Sequence, residues 1–268
     1  MGFGLRRPKA RVRGLDVAGR IEAVGKDVTT FQPGADVFGT CDGAFAEYAC
    51  ARADKVAPKP ANLTFEQAAA VPISACTALH GLRDRGRIQP GQRLLVIGAA
   101  GGVGTFAVQL AKNVFGAEVT GVCSTTKVDL VRSLGADHVI DYTRQDFTDG
   151  PQRYDLILDT AGRRSLSRLR RALAPRGTLI IVGGEGGGRW LGGFDRGFRG
   201  LVLSPFVRQR LRPLVSTERQ QDLQFLKGVI EAGKVRPVID RTYPLSQTPA
   251  AIGYVAHGHA AGKVIITV

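Results

Sequence analysis

Between Ile97 and Thr105 the sequence reads Gly98-Ala-Ala-Gly-Gly-Val-Gly104. The apolar run Leu94–Ile97 before it predicts a strand buried on both faces of a parallel sheet. After it, Val103, Val108 and Ala111 recur at helical spacing. Strand, tight glycine turn and helix in that order aim backbone N–H groups and a helix N-terminus at one point, which is the chemistry of a pyrophosphate site. The spacing is that of G-x-G-x-x-G with Ala99 in the first glycine's place, followed by Gly101 and Gly104. About twenty residues further on, where a carboxylate would hold the ribose hydroxyls of NADH, stands Cys123-Ser-Thr-Thr-Lys127. Hydroxyls and a cation suit a 2′-phosphate, so this stretch favours NADPH over NADH. The competing reading has Ser124 capping the next helix and Lys127 solvated.

Other chemistry-bearing residues are sparse. Cys41, Cys50, Cys76 and Cys123 are scattered, with no C-x-x-C pair and no histidine at ligand spacing. That pattern points to reduced thiols in a cytoplasm and away from a structural zinc site. His80, His138, His257 and His259 are candidates for a proton donor by type alone, as is Tyr48. The net charge is +14, with arginines clustered at Arg163, Arg164, Arg168, Arg170, Arg171 and Arg176, and again from Arg189 to Arg212. A basic face binds nucleic acid when other features support it. Here the arginines are not interleaved with aromatics, and a solvated face is the favoured reading. Apolar content of 44% fits a globular fold. No apolar run is long enough to span a bilayer, and Met1–Pro8 lacks a signal-peptide core.

These residues need a scaffold, and the chain spells out an α/β one. Leu15–Val24 alternates as a half-buried strand; a second strand is expected around Val37, a third over Gly43–Ala49, and Lys55-Val-Ala-Pro closes a small barrel-like β unit. Thr64-Phe-Glu-Gln67 reads as a capping box opening an alanine-rich helix, with Pro72 interrupting it and a second helix over Ile73–Asp84. Past the glycine turn, strands Glu118–Cys123, His138–Ile140, Asp155–Asp159 and Thr178–Val182 alternate with helices Lys127–Leu134 and Ser165–Leu173. Such alternation marks a doubly wound parallel sheet. Gly183–Gly188 is a glycine loop at a strand end, where such sheets bind ligands. A helix over Thr217–Ala232, β texture from Val235, a short helix from Thr248 and a last strand Lys263–Val268 follow.

Taken together, Gly91-Gln-x-x-Leu95-x-x-x-Ala-Ala-Gly-Gly-x-Gly104-x-x-x-x-Gln109-x-x-Lys112 resembles the quinone oxidoreductase/zeta-crystallin signature of the medium-chain dehydrogenase/reductase superfamily. Phe45-Ala-Glu-Tyr48, Val71-Pro72, Leu134–Tyr142 and Gly262-Lys263-Val264 are similar to that family in order and spacing. The resemblance implies a doubly wound Rossmann domain over 63–233, and a split GroES-like β-barrel domain formed by 1–62 and 234–268. It implies hydride transfer from NADPH to a quinone or conjugated carbonyl. Carried over by position, the stretch from Ala100 through Gly101, Gly102 and Val103 faces the pyrophosphate. Ser124, Thr125, Lys127 and Tyr142 surround the 2′-phosphate, Thr77 lies near the nicotinamide, and Gly183 and Lys263 complete the cofactor contacts. Plainer roles compete: a half-buried loop aromatic for Tyr142, a helix residue for Thr77, a strand-edge charge for Lys263.

Two departures carry consequences. Zinc alcohol dehydrogenases have Gly-His-Glu where this chain has Gly14-Leu15-Asp16, and the cysteine-rich zinc lobe has no counterpart between Cys41 and Asp54. Zinc needs three or four ligands in tetrahedral array, so a zinc-independent protein is expected, with Asp16 a strand-edge or turn carboxylate. The family's barrel also begins well upstream of Leu15, so the expectation is a barrel missing its N-terminal strands: a fragment, a mis-started product, or a chain completed by association. Pairing of sheet edges through Leu179–Leu203 is a route to a homodimer. A chain that binds the cofactor without turnover, and one that binds nucleic acid through its arginines, are the alternative functions.

Overall fold

The computed structural model describes residues 12–148, 150–182, 200, 207–258 and 260–268. The chain divides into two compact units. One comprises Met1–Cys76, Thr217–Gly233 and Pro237–Val268, and the other Thr77–Ser216 with Lys234–Arg236.

The second unit is built on a six-stranded parallel sheet of β4 (Arg93–Ile97), β5 (Glu118–Cys123), β6 (His138–Asp141), β7 (Tyr154–Asp159), β8 (Leu173–Ile181) and β9 (Arg210–Pro213), in the order β6-β5-β4-β7-β8-β9. This is the doubly wound order in which the strand sequence reverses on either side of β4, leaving a crevice at the carboxyl ends of β4 and β7. Leu94, Leu95 and Val96 are wholly buried, as a strand covered on both faces requires. Leu95 and Ile97 pack into one cluster with Val122, Ile157, Leu169, Leu179 and Leu211. The helices are α3 (Gly102–Asn113), α4 (Val128–Ser133) and α5 (Leu166–Ala172). Phe106 of α3 has no solvent exposure. Phe106→Ala is expected to cost about 3–5 kcal/mol of stability, read by denaturant unfolding, because the cavity under α3 has no route to collapse.

Two residues of the glycine-loop signature prove structural. Gln109 donates from Nε2 to the carbonyls of Thr105 and Arg236 and accepts from the Arg236 amide, tying the 234–236 segment to α3. Lys112 pairs with Asp137, whose other oxygen accepts the Val119 amide at the start of β5.

In the first unit, β1 (Asp16–Arg20), β2 (Asp36–Thr40) and β3 (Val56–Pro58) form an antiparallel sheet, and β10 (Ile239–Pro244) pairs in parallel with β11 (Lys263–Thr267). Helices α1 (Phe65–Ala69), α6 (Gln220–Glu231) and α7 (Thr248–Ala256) belong with them, and α2 (Pro72–Leu79) begins here. The Thr64 capping box forms on both sides: Thr64 Oγ1 accepts from the Gln67 amide and Gln67 Oε1 from the Thr64 amide.

Three local expectations are corrected. The first strand ends at Arg20 because Glu22–Val24 are exposed and have no ladder partner. No strand forms over Gly43–Ala49; the Gly43 and Ala44 amides both donate to the Gly14 carbonyl, which closes a turn rather than a ladder. Pro72 does separate two helices as expected: α1 ends at Ala69 and Pro72 opens α2, the first-turn place a proline tolerates. The α2 helix then passes into a π-helical turn, His80–Gly86, ended by Arg87 in the left-handed region at φ 51°.

Candidate dinucleotide site

The chain leaves β4 through Gly98, whose φ of +82° is open to glycine at little cost. The Gly98 and Ala99 amides donate to the Val122 carbonyl, holding the turn against β5. Gly104 sits where the helix crosses the strand end: a Cβ there would lie 2.1 Å from the Gly98 carbonyl oxygen and 2.7 Å from Ala99 Cα. Helix and strand therefore approach as closely as backbones allow. Gly101 differs, since an added Cβ would meet nothing nearer than the Gly98 oxygen at 3.4 Å. Its hydrogens face open space, and Gly101, Gly102 and Val103 are partly exposed while Ala100 is buried. No side chain caps α3, so its first-turn N–H groups point outward into that space. With the helix dipole behind them, they form a site for an anion with two or more phosphate oxygens.

Beside this turn, β5 ends at Cys123 and β6 at Asp141, and the two residues are paired across the ladder. Ser124, Thr125 and Lys127 follow Cys123, and Tyr142 follows Asp141, its amide donating to the Cys123 carbonyl. The parallel sheet thus brings Gly101, Gly102, Val103, Ser124, Thr125, Lys127 and Tyr142 to the carboxyl edge of three neighbouring strands. Ser124 makes no capping hydrogen bond from its side chain. The Cys123 thiol is pushed up to about 11, first by burial and then by Asp141, with Lys127 and Arg132 opposing, so it stays protonated and is no nucleophile at neutral pH.

Asp141 is a site residue that sequence reading missed. Its carboxylate accepts from Thr125 Oγ1 and from the amide and hydroxyl of Thr143, and lies 3.5 Å from Arg144 Nε. These contacts, the Thr125 hydroxyl foremost, hold its carboxyl below the usual carboxylate range. The folded value lies below the unfolded one, so the contribution to stability is present above the ordinary carboxylate pKa and lost as pH falls through the lowered one. The stability gap between the wild type and Asp141→Asn is expected to be largest near neutrality and to close progressively below about pH 4 in thermal melts. A gap independent of pH would contradict this network.

At the switch point, Asp159 of β7 is buried and accepts from the Gly162 amide, and Thr160 donates its hydroxyl to the Ile97 carbonyl. The spacing Asp159-Thr-Ala-Gly162 is the sequence signal for this turn. Thr77 lies in α2 with its side chain largely buried. Lys263, in the first unit, donates to Asp16 Oδ2 at 2.7 Å and to Ser74 Oγ at 3.3 Å. The other Asp16 oxygen accepts the Ile73 amide at the start of α2, so this carboxylate at the start of β1 caps a helix and holds Lys263 at once. Gly183, the Gly183–Gly188 loop, the part of Leu179–Leu203 beyond Val182 apart from Gly200, and His259 lie outside the described residues.

Among the described residues no three His, Cys, Asp or Glu side chains converge. Leu15 stands where zinc alcohol dehydrogenases carry an imidazole. No helix among the described residues is long and apolar enough to cross a membrane.

Comparison with known proteins places this geometry. Residues 3–61 match the alcohol dehydrogenase GroES-like domain and residues 134–266 the zinc-binding dehydrogenase family. The chain is 36% identical over 272 residues to 2-methylene-furan-3-one reductase of Solanum lycopersicum, covering 97% of this chain and 64% of that protein. It is 34% identical to a mitochondrial NAD(P)H oxidoreductase of Mus musculus, covering 95% of this chain and 70% of the relative. The structure of the quinone oxidoreductase from Coxiella burnetii superposes with a TM-score of 0.86 at 27% identity, covering 96% of this chain and 79% of that one. The NADPH-dependent alkenal/one oxidoreductase of Arabidopsis thaliana is 35% identical, and this chain again spans 64% of it. The glycine turn, the strand order and the paired ends of β5 and β6 are thus the dinucleotide half of a known architecture, and the chain belongs to the medium-chain dehydrogenase/reductase superfamily, among its quinone oxidoreductase and alkenal/one reductase relatives.

Proposed function

We propose that the protein is an NADPH-dependent, zinc-independent reductase of quinones or conjugated carbonyls. The observation that carries this is the open, uncapped N-terminus of α3 at Gly101–Val103, beside a strand end that offers Ser124, Thr125 and Lys127. Reduced nicotinamide, when bound, supplies the hydride; the protein's part is position and electrostatics. The α3 amides would hold the pyrophosphate. Ser124, Lys127 and Tyr142 would hold the 2′-phosphate, with Asp141 fixing the Thr125 hydroxyl among them. With no metal donor set among the described residues, polarisation of the carbonyl would fall to hydrogen-bond donors or solvent.

The names of the plant and animal relatives support this substrate class. Reducing a panel of quinones, enones and simple ketones with NADPH tests it: loss of reduced-nicotinamide absorbance with the first two groups and not with ketones is the expected result. NADPH binding without oxidation of any of them would select the second reading, a cofactor-binding chain without turnover.

A further inference from the structure

The arginines fall in separate runs along the sequence, and the parallel sheet sorts them. Arg164 and Arg168, at the start of α5, pair with Asp146. Arg170, Arg171 and Arg176 of that run go elsewhere. Leu94 pairs with Leu156, Leu156 with Thr178, and Thr178 with Arg210, so the entrances of β4, β7, β8 and β9 are level. Arg93, Arg153, Arg176, Arg208 and Arg210 stand at or just before that level, at the end of the sheet opposite the glycine turn. At roughly 4.8 Å between strands, the four entrances span about 14 Å. Arg170 and Arg171 close α5 at the same end, and Arg85 and Arg87 leave the π-helical turn there.

Arg85, Arg87, Arg153, Arg171, Arg176, Arg208 and Arg210 are exposed, and Arg176, Arg208 and Arg210 line a surface depression of about 600 Å³ with Pro175. The charges crowd one another: burial first, then Arg210, Arg87 and Arg85, lower the pKa of Arg212. Their described hydrogen bonds go to neutral oxygens. Arg153 donates to the carbonyls of Gly150 and Gln152, Arg170 to Gln209 Oε1, and Arg212 to the Arg85 carbonyl. The acids at this end are engaged: Asp84 with Arg83, Asp155 with the Arg93 amide, Glu118 beside His138.

We propose that this arginine-lined end of the sheet binds the phosphate backbone of double-stranded nucleic acid without reading sequence. Between Arg153 and Arg219 the chain has no lysine, and the planar guanidinium fork matches phosphate oxygens in pairs. Among the described residues no exposed aromatic lies beside these arginines to stack an unpaired base, which favours duplex over single strand. Among the described residues no large exposed hydrophobic lies beside them either, which disfavours a membrane as the occupant. The surface is at the opposite end of the strands from Gly101 and Lys127, and its binding does not depend on the cofactor reading.

Fluorescence anisotropy of a labelled mixed-sequence duplex of about 20 base pairs, titrated with the full chain plus NADPH, tests this. Neutralising four to six phosphates predicts a log–log salt slope of about −4 to −5. Arg176→Glu/Arg208→Glu/Arg210→Glu is expected to weaken duplex binding at least tenfold, a loss of about 1.4 kcal/mol, with NADPH affinity unchanged. Should the triple variant fold poorly, Arg153→Ala/Arg176→Ala at two exposed positions is expected to lower the slope by about two. An unchanged anisotropy at low salt, variants that bind as the wild type does, or tighter association with phosphatidylserine vesicles than with duplex would overturn the proposal.

Discussion

Gly101→Val is expected to leave the sheet folded and to weaken NADPH binding at least tenfold, a loss of about 1.4 kcal/mol or more. The position has room for a Cβ as the protein stands, with only the Gly98 oxygen at 3.4 Å. The room belongs to the ligand: a branched side chain over the α3 amides would stand where a pyrophosphate oxygen must come within hydrogen-bonding distance of them. Gly104→Ala is the control with the opposite signature. Its Cβ would press on the backbone of Gly98 and Ala99, so α3 must move off β4, at about 3 kcal/mol of stability. Calorimetric titration together with thermal melting separates the two. A Gly101→Val protein that binds NADPH like the wild type would mean the open face of the turn is not where the dinucleotide lies.

The second large effect concerns selectivity. Lys127→Ala is expected to weaken NADPH binding by roughly ten- to a hundredfold and leave NADH nearly untouched, since a charge-assisted hydrogen bond to a phosphate is worth about 1.5–3 kcal/mol. Lys127 lies one short turn past Cys123, close enough for its charge to lower the Cys123 thiol against the effect of burial. Asp141 complicates this edge, because an ionised carboxylate beside the pocket repels a 2′-phosphate. Its oxygens are taken up by Thr125, Thr143 and Arg144, which turn a repelling group into one that orients hydroxyls. If the ratio of NADPH to NADH affinity is the same in wild type and Lys127→Ala, the 2′-phosphate is bound elsewhere.

How much of this was legible in the sequence depended on how local the signal was. The β4 strand, the glycine turn and the α3 helix were readable because each carries its own period, and β5 was placed residue for residue. The β9 strand was not, since Arg210-Leu-Arg-Pro213 buries only Leu211 and looks like part of a charged run. Gly43–Ala49 alternates like a strand, yet its amides find the Gly14 carbonyl, and local pattern does not say where a hydrogen bond ends. Asp141 stands 18 positions from Cys123 in the chain and faces it only because β5 and β6 pair in parallel. Lys263 and Asp16 are 247 residues apart, so their pairing is a property of the fold alone. Gln109 and Lys112, conspicuous in the signature, turned out to hold the scaffold.

The central claim is that a 2′-phosphorylated dinucleotide lies across the turn from Gly98 to Val103 with its adenosine end at Lys127. Side-by-side calorimetric titration of the wild-type chain with NADPH and NADH tests it most directly. Micromolar affinity for NADPH, with NADH at least tenfold weaker, is the predicted result. Equal affinity for the two, or no heat from either up to about 1 mM, would contradict it.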